Sequence, residues 1–303
     1  MYRTLDEVVE AARGRRWVKI AVAAAQDQDC IEALKRAREL ELAEGIFVGN
    51  GDKITAMARE AGLELKPDQL IHEPDDALAA RKAIGLVREG KADLLMKGKI
   101  KTSALVKAVL DKETGLRAGR LLSQVIVFQV PGFNRLMIMT DAAINIAPGL
   151  EQKVELIRNT VEVAHVLGIE KPNVAALCAL EFPNPEMPAT MDASALTLMN
   201  KRGQIGGCYV EGPIALDVPL SKFAAERKGI VTPLAENTDI FLAPDIEAAN
   251  ILYRAILYFA KGESGGIVIG AKVPLILLSR AETPETKICS IALGILVARA
   301  AKV

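Results

Sequence analysis

The chain has 303 residues, enough for one large or two medium domains with a sizeable core, and half of it is hydrophobic, as in ordinary globular proteins. Its 38 basic and 38 acidic residues cancel, so no net field draws it to nucleic acid or an anionic membrane. Aromatic residues make up only 4% of the chain, which leaves few platforms for stacking bases.

Residues 17–23, Trp17-Val18-Lys19-Ile20-Ala21-Val22-Ala23, read as a strand followed by a helix over 27–41. A second strand at 45–49 closes on Asn50-Gly51 and leads into a helix through Ala58. Residues 70–72 form a short strand, Asp75-Asp76 caps a helix over 77–87, and 93–96 is the next strand. Repeated βα units of this spacing predict a parallel sheet covered by helices.

The rhythm then changes. Residues 121–130 and 136–139 are two strands separated by Pro131-Gly132-Phe133-Asn134-Arg135, which suggests a hairpin or a crossing between domains. The βα pattern resumes with a helix over 151–167, a strand over 174–180 and a helix over 189–201. Strands at 208–210 and 239–242, a helix over 245–259 and a strand over 266–270 follow. The last unit is a strand over 273–278 and a buried helix over 288–297. The expectation is α/β: two α/β domains with an interdomain cleft, one from 1–135 completed by 271–303, the other from 136–270.

Cys30, Cys178, Cys208 and Cys289 are scattered without CxxC spacing, so buried reduced thiols are expected. The first residues carry charge and no signal-like apolar core, and no apolar run reaches membrane-spanning length. A cytoplasmic protein is expected. Gly262-Glu263-Ser264-Gly265-Gly266 fits G-x-S-x-G but follows a helix and precedes a strand, the reverse of a nucleophile elbow. His72 and His165 read as structural, and no histidine or cysteine cluster supports a metal. No GxGxxG follows the first strand, which argues against a nicotinamide dehydrogenase of the usual doubly wound kind.

Chemistry concentrates in polar loops at strand ends, where open α/β sheets bind ligands. Met96-Lys97-Gly98-Lys99-Ile100-Lys101-Thr102-Ser103 offers lysines, hydroxyls and helix-start amides to a phosphate, although the Walker spacing is missing. Arg117 and Arg120, flanked by glycines, can present guanidinium forks. Thr140-Asp141-Ala142-Ala143-Ile144-Asn145, the loop 211–217 ending in Asp217, and the loop 243–250 ending in Asn250 continue the series. The terminal strand stops at Ser279-Arg280, with Glu282 and Glu285 within the next turn. Arg280 is a permanent fork-shaped donor for phosphate or an oxyanion, whereas Ser279, Thr283 and the acids serve equally well as helix caps.

Taken in order, these motifs, together with Asn184-Pro185-Glu186-Met187-Pro188-Ala189-Thr190, Glu211-Gly212-Pro213 and Pro244-Asp245, resemble the phosphate acetyl/butyryl transferase family, and most closely its butyryl branch. The resemblance covers nearly the whole chain. It implies an isocitrate/isopropylmalate dehydrogenase-like architecture in which the C-terminal segment returns to the first domain. It also implies the reaction acyl-CoA plus phosphate giving acyl phosphate plus CoA. Coenzyme A would be a substrate, with no tightly bound cofactor, no metal and no covalent enzyme intermediate, and the chain would form a homodimer or larger assembly.

On the same resemblance Ser279 positions the thiol, Arg280 stabilises the oxyanion, and Glu285 or Glu282 acts as base. Lys97, Lys101, Thr102, Ser103, Arg117, Asp141, Asn145, Asp217 and Asn250 would bind substrate. Acetyl-specific relatives carry an aspartate seven residues beyond the serine, where this chain has Thr286. Acetyl transfer, or a homologue that binds CoA or acyl phosphate with impaired turnover, are the alternatives. A dehydrogenase on this architecture would need an aspartate cluster and a nicotinamide loop, and neither is present in the sequence.

Overall fold

The computed structural model describes residues 1–14, 17–277 and 282–301. Helix α1 (Leu5–Ala12) leads into β1 (Val18–Ala23), α2 (Gln28–Glu39), β2 (Ala43–Gly49), α3 (Gly51–Ala61), β3 (Leu70–His72), α4 (Asp76–Arg88), β4 (Leu94–Lys97) and α5 (Thr102–Val109). Next come β5 (Ser123–Gln129), β6 (Met137–Thr140), α6 (Leu150–Val166), β7 (Asn173–Leu177), α7 (Pro188–Lys201) and β8 (Tyr209–Ile214). The chain ends with α8 (Asp217–Leu220), α9 (Lys222–Arg227), β9 (Ile240–Leu242), α10 (Ile246–Tyr258), β10 (Glu263–Ile269), β11 (Leu275–Ile276) and α11 (Pro284–Ala300). The fold is mixed α/β.

The chain divides into two units. A split unit comprises Asp6–Arg120 and Gly265–Val303, and a middle unit comprises Leu121–Ser264 with Met1–Leu5. These changes at 120/121 and 264/265 come ahead of the crossings expected at 135/136 and 270/271. Strand β5 accounts for the first difference, because it pairs antiparallel with β6, with Ile126 opposite Met139 and Phe128 opposite Met137. Of the two readings open for residues 131–135, the structure takes the hairpin, with the Phe133 amide donating to the Val130 carbonyl at 3.0 Å.

In the split unit the strands run in the order β3-β2-β1-β4-β11-β10. Strand β1 is parallel to β2 and β4, and β11 is parallel to β4, with Leu275 opposite Leu95. Only β10 opposes its neighbour, through Val268 and Leu275. Ile20, Ala21, Val22, Leu94, Leu95, Leu275 and Ile276 are all fully buried. That is the near-continuous apolar run of strands covered on both faces.

Polar caps start the helices. Asp27 accepts from the Cys30 amide at 3.2 Å, Asn50 from Lys53 at 3.1 Å, and Asp75 from Leu78 at 2.8 Å. Helix α3 ends at Gly62 with φ 68°, a left-handed turn that glycine adopts without steric cost.

In the middle unit the order is β5-β6-β9-β7-β8, with β6, β9, β7 and β8 mutually parallel. Its core gathers Phe128, Met139, Leu177, Ile214, Leu234 and Phe241. The sequence reading had no helix at α1, α8 or α9. These elements have 8, 4 and 6 residues, too short for a full window of helical periodicity. Strand β11 is also shorter than the expected 273–278, and Leu278 lies outside the described residues. No helix among the described residues is long and apolar enough to cross a membrane.

Candidate active site

Parallel pairing gathers the carboxyl ends of β1, β2, β4 and β11 at one edge of the split unit. There the loop after β4 is laced to the end of β1. The Gly98 amide donates to the Ala23 carbonyl at 2.9 Å and the Lys99 amide to the Ala24 carbonyl at 2.8 Å. A Cβ on Gly98 would stand 2.3 Å from the Ala24 oxygen, so only glycine permits this approach. Lys97 turns its ammonium back onto the Gly98 carbonyl at 3.1 Å.

Lys101, not Thr102 or Ser103, occupies the N-cap of α5, and its side chain makes no capping bond. Lys101, Thr102 and Ser103 are exposed at this helix start. Their location combines a cation, two hydroxyls and first-turn amides that lack intrahelical partners. Arg117, also exposed, sits on a short antiparallel pairing with Ala271, and its guanidinium carries no partner among the described residues.

Ser279 and Arg280 lie outside the described residues. Glu282 is half-buried ahead of Thr283, which caps α11 by accepting from the Thr286 amide at 3.2 Å. Glu285 is exposed in the first turn of α11. It lines a groove of about 490 Å³ with Arg13, Arg36, Leu40, Ile288 and Cys289, which takes in none of the Lys97–Ser103 loop. Thr286, at the position where acetyl relatives carry an aspartate, is buried, and its hydroxyl accepts from Thr283 Oγ1 at 3.3 Å.

Lys287 follows it, and its buried ammonium donates to Asp29 Oδ1 at 2.5 Å. The sequence reading passed over both partners. The available signal was a lone charge in an otherwise uncharged stretch from 286 to 298.

In the middle unit the loops after β6, β7, β8 and β9 share an edge. Asp141 is buried there. Its Oδ1 accepts from the Ala143 and Ile144 amides at 2.9 and 3.0 Å, and its Oδ2 from Asn145 Nδ2 at 2.6 Å. Burial raises the Asp141 carboxyl above the usual range, with these donors opposing it. Asn145 also donates to the Leu122 carbonyl at 2.8 Å, and Asn250 to the Ala142 carbonyl at 3.1 Å. Asp141, Asn145 and Asn250 thus come together as the frame of one loop. Asp217 stands apart from them, exposed and bonded at 2.8 Å to Lys228, which also reaches Glu181 at 2.7 Å. On β8, Glu211 Oε2 accepts from both Tyr209 and Thr232 at 2.7 Å, and burial with this carboxylate pushes the Tyr209 phenol up to about 12.

Ser264 of the G-x-S-x-G match is an interior residue of β10, buried and 3.0 Å from the Tyr253 hydroxyl. His72 Nδ1 accepts from the Gly51 amide at 3.2 Å, and His165 Nε2 lies 3.2 Å from the Gly207 carbonyl. Among the described residues no group of histidines, cysteines and acids could hold a metal.

Comparison with known proteins identifies the family. The phosphate acetyl/butaryl transferase family model matches residues 75–295. A phosphate butyryltransferase of Clostridium acetobutylicum is 43% identical over 298 residues, covering 98% of this chain and 99% of its own length. A phosphate acetyltransferase of Thermotoga maritima is 47% identical over 290 residues, covering 96% and 98%. The crystal structure of a branched-chain phosphotransacylase from Enterococcus faecalis V583 superposes with a TM-score of 0.80 at 29% identity, covering 93% of this chain and 99% of that one. The chain is therefore an acyltransferase. It belongs to the phosphate acetyl/butyryl transferase family.

Proposed function

We propose that this chain is a phosphate acyltransferase that interconverts a short acyl-CoA and phosphate with an acyl phosphate and CoA, favouring butyryl or branched groups over acetyl. The observation that carries the reading is the near full-length identity to a phosphate butyryltransferase. The branched-chain phosphotransacylase superposition supports the same acyl class, whereas the Thermotoga relative keeps acetyl as the competing choice. One methylene in an apolar pocket is worth only about 1–3 kcal/mol, so a graded preference is expected.

The reaction needs no covalent enzyme intermediate. In the direction that forms acyl-CoA, the CoA thiol gives its proton to a base, and the thiolate attacks the acyl carbon of the acyl phosphate. The tetrahedral oxyanion then collapses with cleavage of the acyl carbon–oxygen bond, and phosphate leaves. Ser279 would orient the thiol and Arg280 would stabilise the oxyanion. Lys101, Arg117 and the α5 start offer unpaired donors to the phosphate charge. Glu282, half-buried ahead of α11, and Glu285, exposed in its first turn, are the candidates for the base. Asp141, Asn145 and Asn250 would serve substrate by fixing the loop after β6, and Asp217 by closing an ion-paired rim.

This reading carries with it coenzyme A as substrate, no tightly bound cofactor, a cytoplasmic setting and a homodimer or larger assembly. It includes an architecture of the isocitrate/isopropylmalate dehydrogenase kind, supported by a unit built from both ends of the chain. The test is phosphate-dependent release of CoA thiol from acetyl-, butyryl- and isobutyryl-CoA. The expected result is a chain-length optimum at four carbons, with Arg280→Ala losing about 3 kcal/mol of transition-state stabilisation, on the order of 100-fold in kcat. No release from any acyl-CoA by folded wild type would reject the reading.

A further inference from the structure

The loop Lys97–Ser103 follows β4, and α11 follows β11, the strand beside β4. The end of β4 and the first turn of α11 are tied to the same turn of a third element. Cys30 Sγ donates to the Lys97 carbonyl at 3.2 Å, at the point where β4 gives way to its loop. Lys287, in the first turn of α11, places its ammonium 2.5 Å from Asp29 Oδ1. Asp29 and Cys30 are consecutive residues in the first turn of α2, which Asp27 caps. Strands β4 and β11 pair directly through Leu95 with Leu275 and Met96 with Ile276. The sheet thus joins β4 to β11, and α2 joins the end of β4 to the start of α11.

We infer that the first turn of α2 is a positioning element for acyl transfer, with Asp29 setting the start of α11 and Cys30 setting the loop after β4. The inference rests on the proposed function for its link to turnover, and on geometry alone for the anchoring itself. A buried ion pair is a poor device for stability, because apolar residues of similar shape often serve as well. What it supplies is a fixed distance and direction between two backbones. The lysine side chain is only 7% exposed, so loss of the carboxylate leaves its ammonium without a partner at the start of α11 and favours movement of that turn toward the water on the Asp29 side. Burial holds the Cys30 thiol far above its ordinary range, so it stays protonated and remains a donor to the Lys97 carbonyl. Both residues act through the groups they hold.

The test compares wild type with Asp29→Asn, the double variant Asp29→Asn/Lys287→Met, Cys30→Ala and Cys30→Ser. Misplacement of reacting groups by about 1 Å costs on the order of 100-fold. Asp29→Asn should therefore lower kcat by about 10- to 100-fold, with the KM values for acyl-CoA and phosphate little changed. The double variant removes the stranded ammonium and should regain urea stability without regaining kcat. Cys30→Ser keeps a donor and should retain more turnover than Cys30→Ala. Amide hydrogen exchange provides a readout that needs no substrate. Gly98 and Lys99 should exchange faster in Cys30→Ala, and the first turn of α11 faster in Asp29→Asn. Recovery of wild-type kcat together with stability in the double variant would show a purely structural pair and overturn the inference. So would unchanged exchange at both segments. A folded wild type that releases no thiol would instead remove the acyl-transfer reading, and the exchange data would still decide the anchoring.

Discussion

Each unit contains the same small construction put to a different use. In the middle unit, Lys153 is the fourth residue of the 17-residue helix α6, and its buried ammonium lies 2.7 Å from Asp192 near the start of α7. In the split unit, Lys287 is the fourth residue of the 17-residue helix α11 and lies 2.5 Å from Asp29 near the start of α2. A cysteine attends each pair: Cys178, in the field of Lys153 and Asp192, and Cys30, next to Asp29 in the chain. The difference lies in what the thiol does. Cys30 reaches a third segment at the Lys97 carbonyl, whereas the Cys178 sulfur makes no hydrogen bond among the described residues. A lysine–aspartate pair alone staples two helices, and the added thiol contact turns one staple into a three-way junction.

The largest expected effect is on folding. Asp192→Asn strands a lysine that is 7% exposed and should lower stability by about 3 kcal/mol in urea denaturation, without the loss of turnover expected for Asp29→Asn. Equal losses of turnover in the two variants would erase the distinction between the units. Asp29 is itself 40% exposed, so water reaches its side of the pair, and Asn there should cost less stability, about 2 kcal/mol.

A second effect, of opposite sign at two carboxyls of the middle unit, concerns pH. Burial raises Asp141, so the folded chain holds that proton to higher pH than the unfolded chain does. Its contribution to stability is greatest at low pH and is lost as pH rises through the raised native value. Lys228 lowers Asp217, whose contribution is present above the ordinary carboxylate range and is lost as pH falls through the lowered native value. Urea midpoints between roughly pH 3 and 7 should show Asp141→Asn removing a falling component and Asp217→Asn removing a rising one. Slopes of the same sign would contradict the burial argument.

The smallest effect is on thiol reactivity. Burial pushes Cys178 up to about 11, so its thiolate fraction near neutral pH should fall on the order of 100-fold below that of an ordinary thiol. Alkylation followed by mass spectrometry should find Cys178 slow in the native protein and Cys30 slower still.

Most of the fold was legible because its signals are local. Asp75 caps α4, apolar runs mark β1 and β4, and glycine or asparagine punctuates the turns, all within a few residues of the element they define. Where two local patterns competed, as at Pro131-Gly132-Phe133, only strand pairing could choose between a hairpin and a crossing. The site was legible as a set of loops and much less so as a set of contacts. Lys101 and Arg117 announce themselves as cations in polar loops, and among the described residues they carry no side-chain partners that would alter that reading. Asp141 and Asn145 read as ligand-facing from their motif, yet their atoms are taken up by Ala143, Ile144 and the Leu122 carbonyl. The Asp29–Lys287 pair spans 258 positions, and no periodicity or spacing rule connects residues so far apart.

The split construction also sets an order of events during synthesis. Strand β4 leaves the ribosome long before Leu275 and Ile276, so one edge of its sheet stays open while the whole middle unit is being made. An unpaired strand edge is a template for wrong partners, and nascent chains are exposed to that hazard for as long as the edge waits. The middle unit is built from Met1–Leu5 and the continuous run from Leu121 to Ser264, so nearly all of it is made before β11. Ribosome-bound chains arrested once residue 264 has cleared the exit tunnel should therefore resist protease across β5–α10 while remaining open to it across β1–β4.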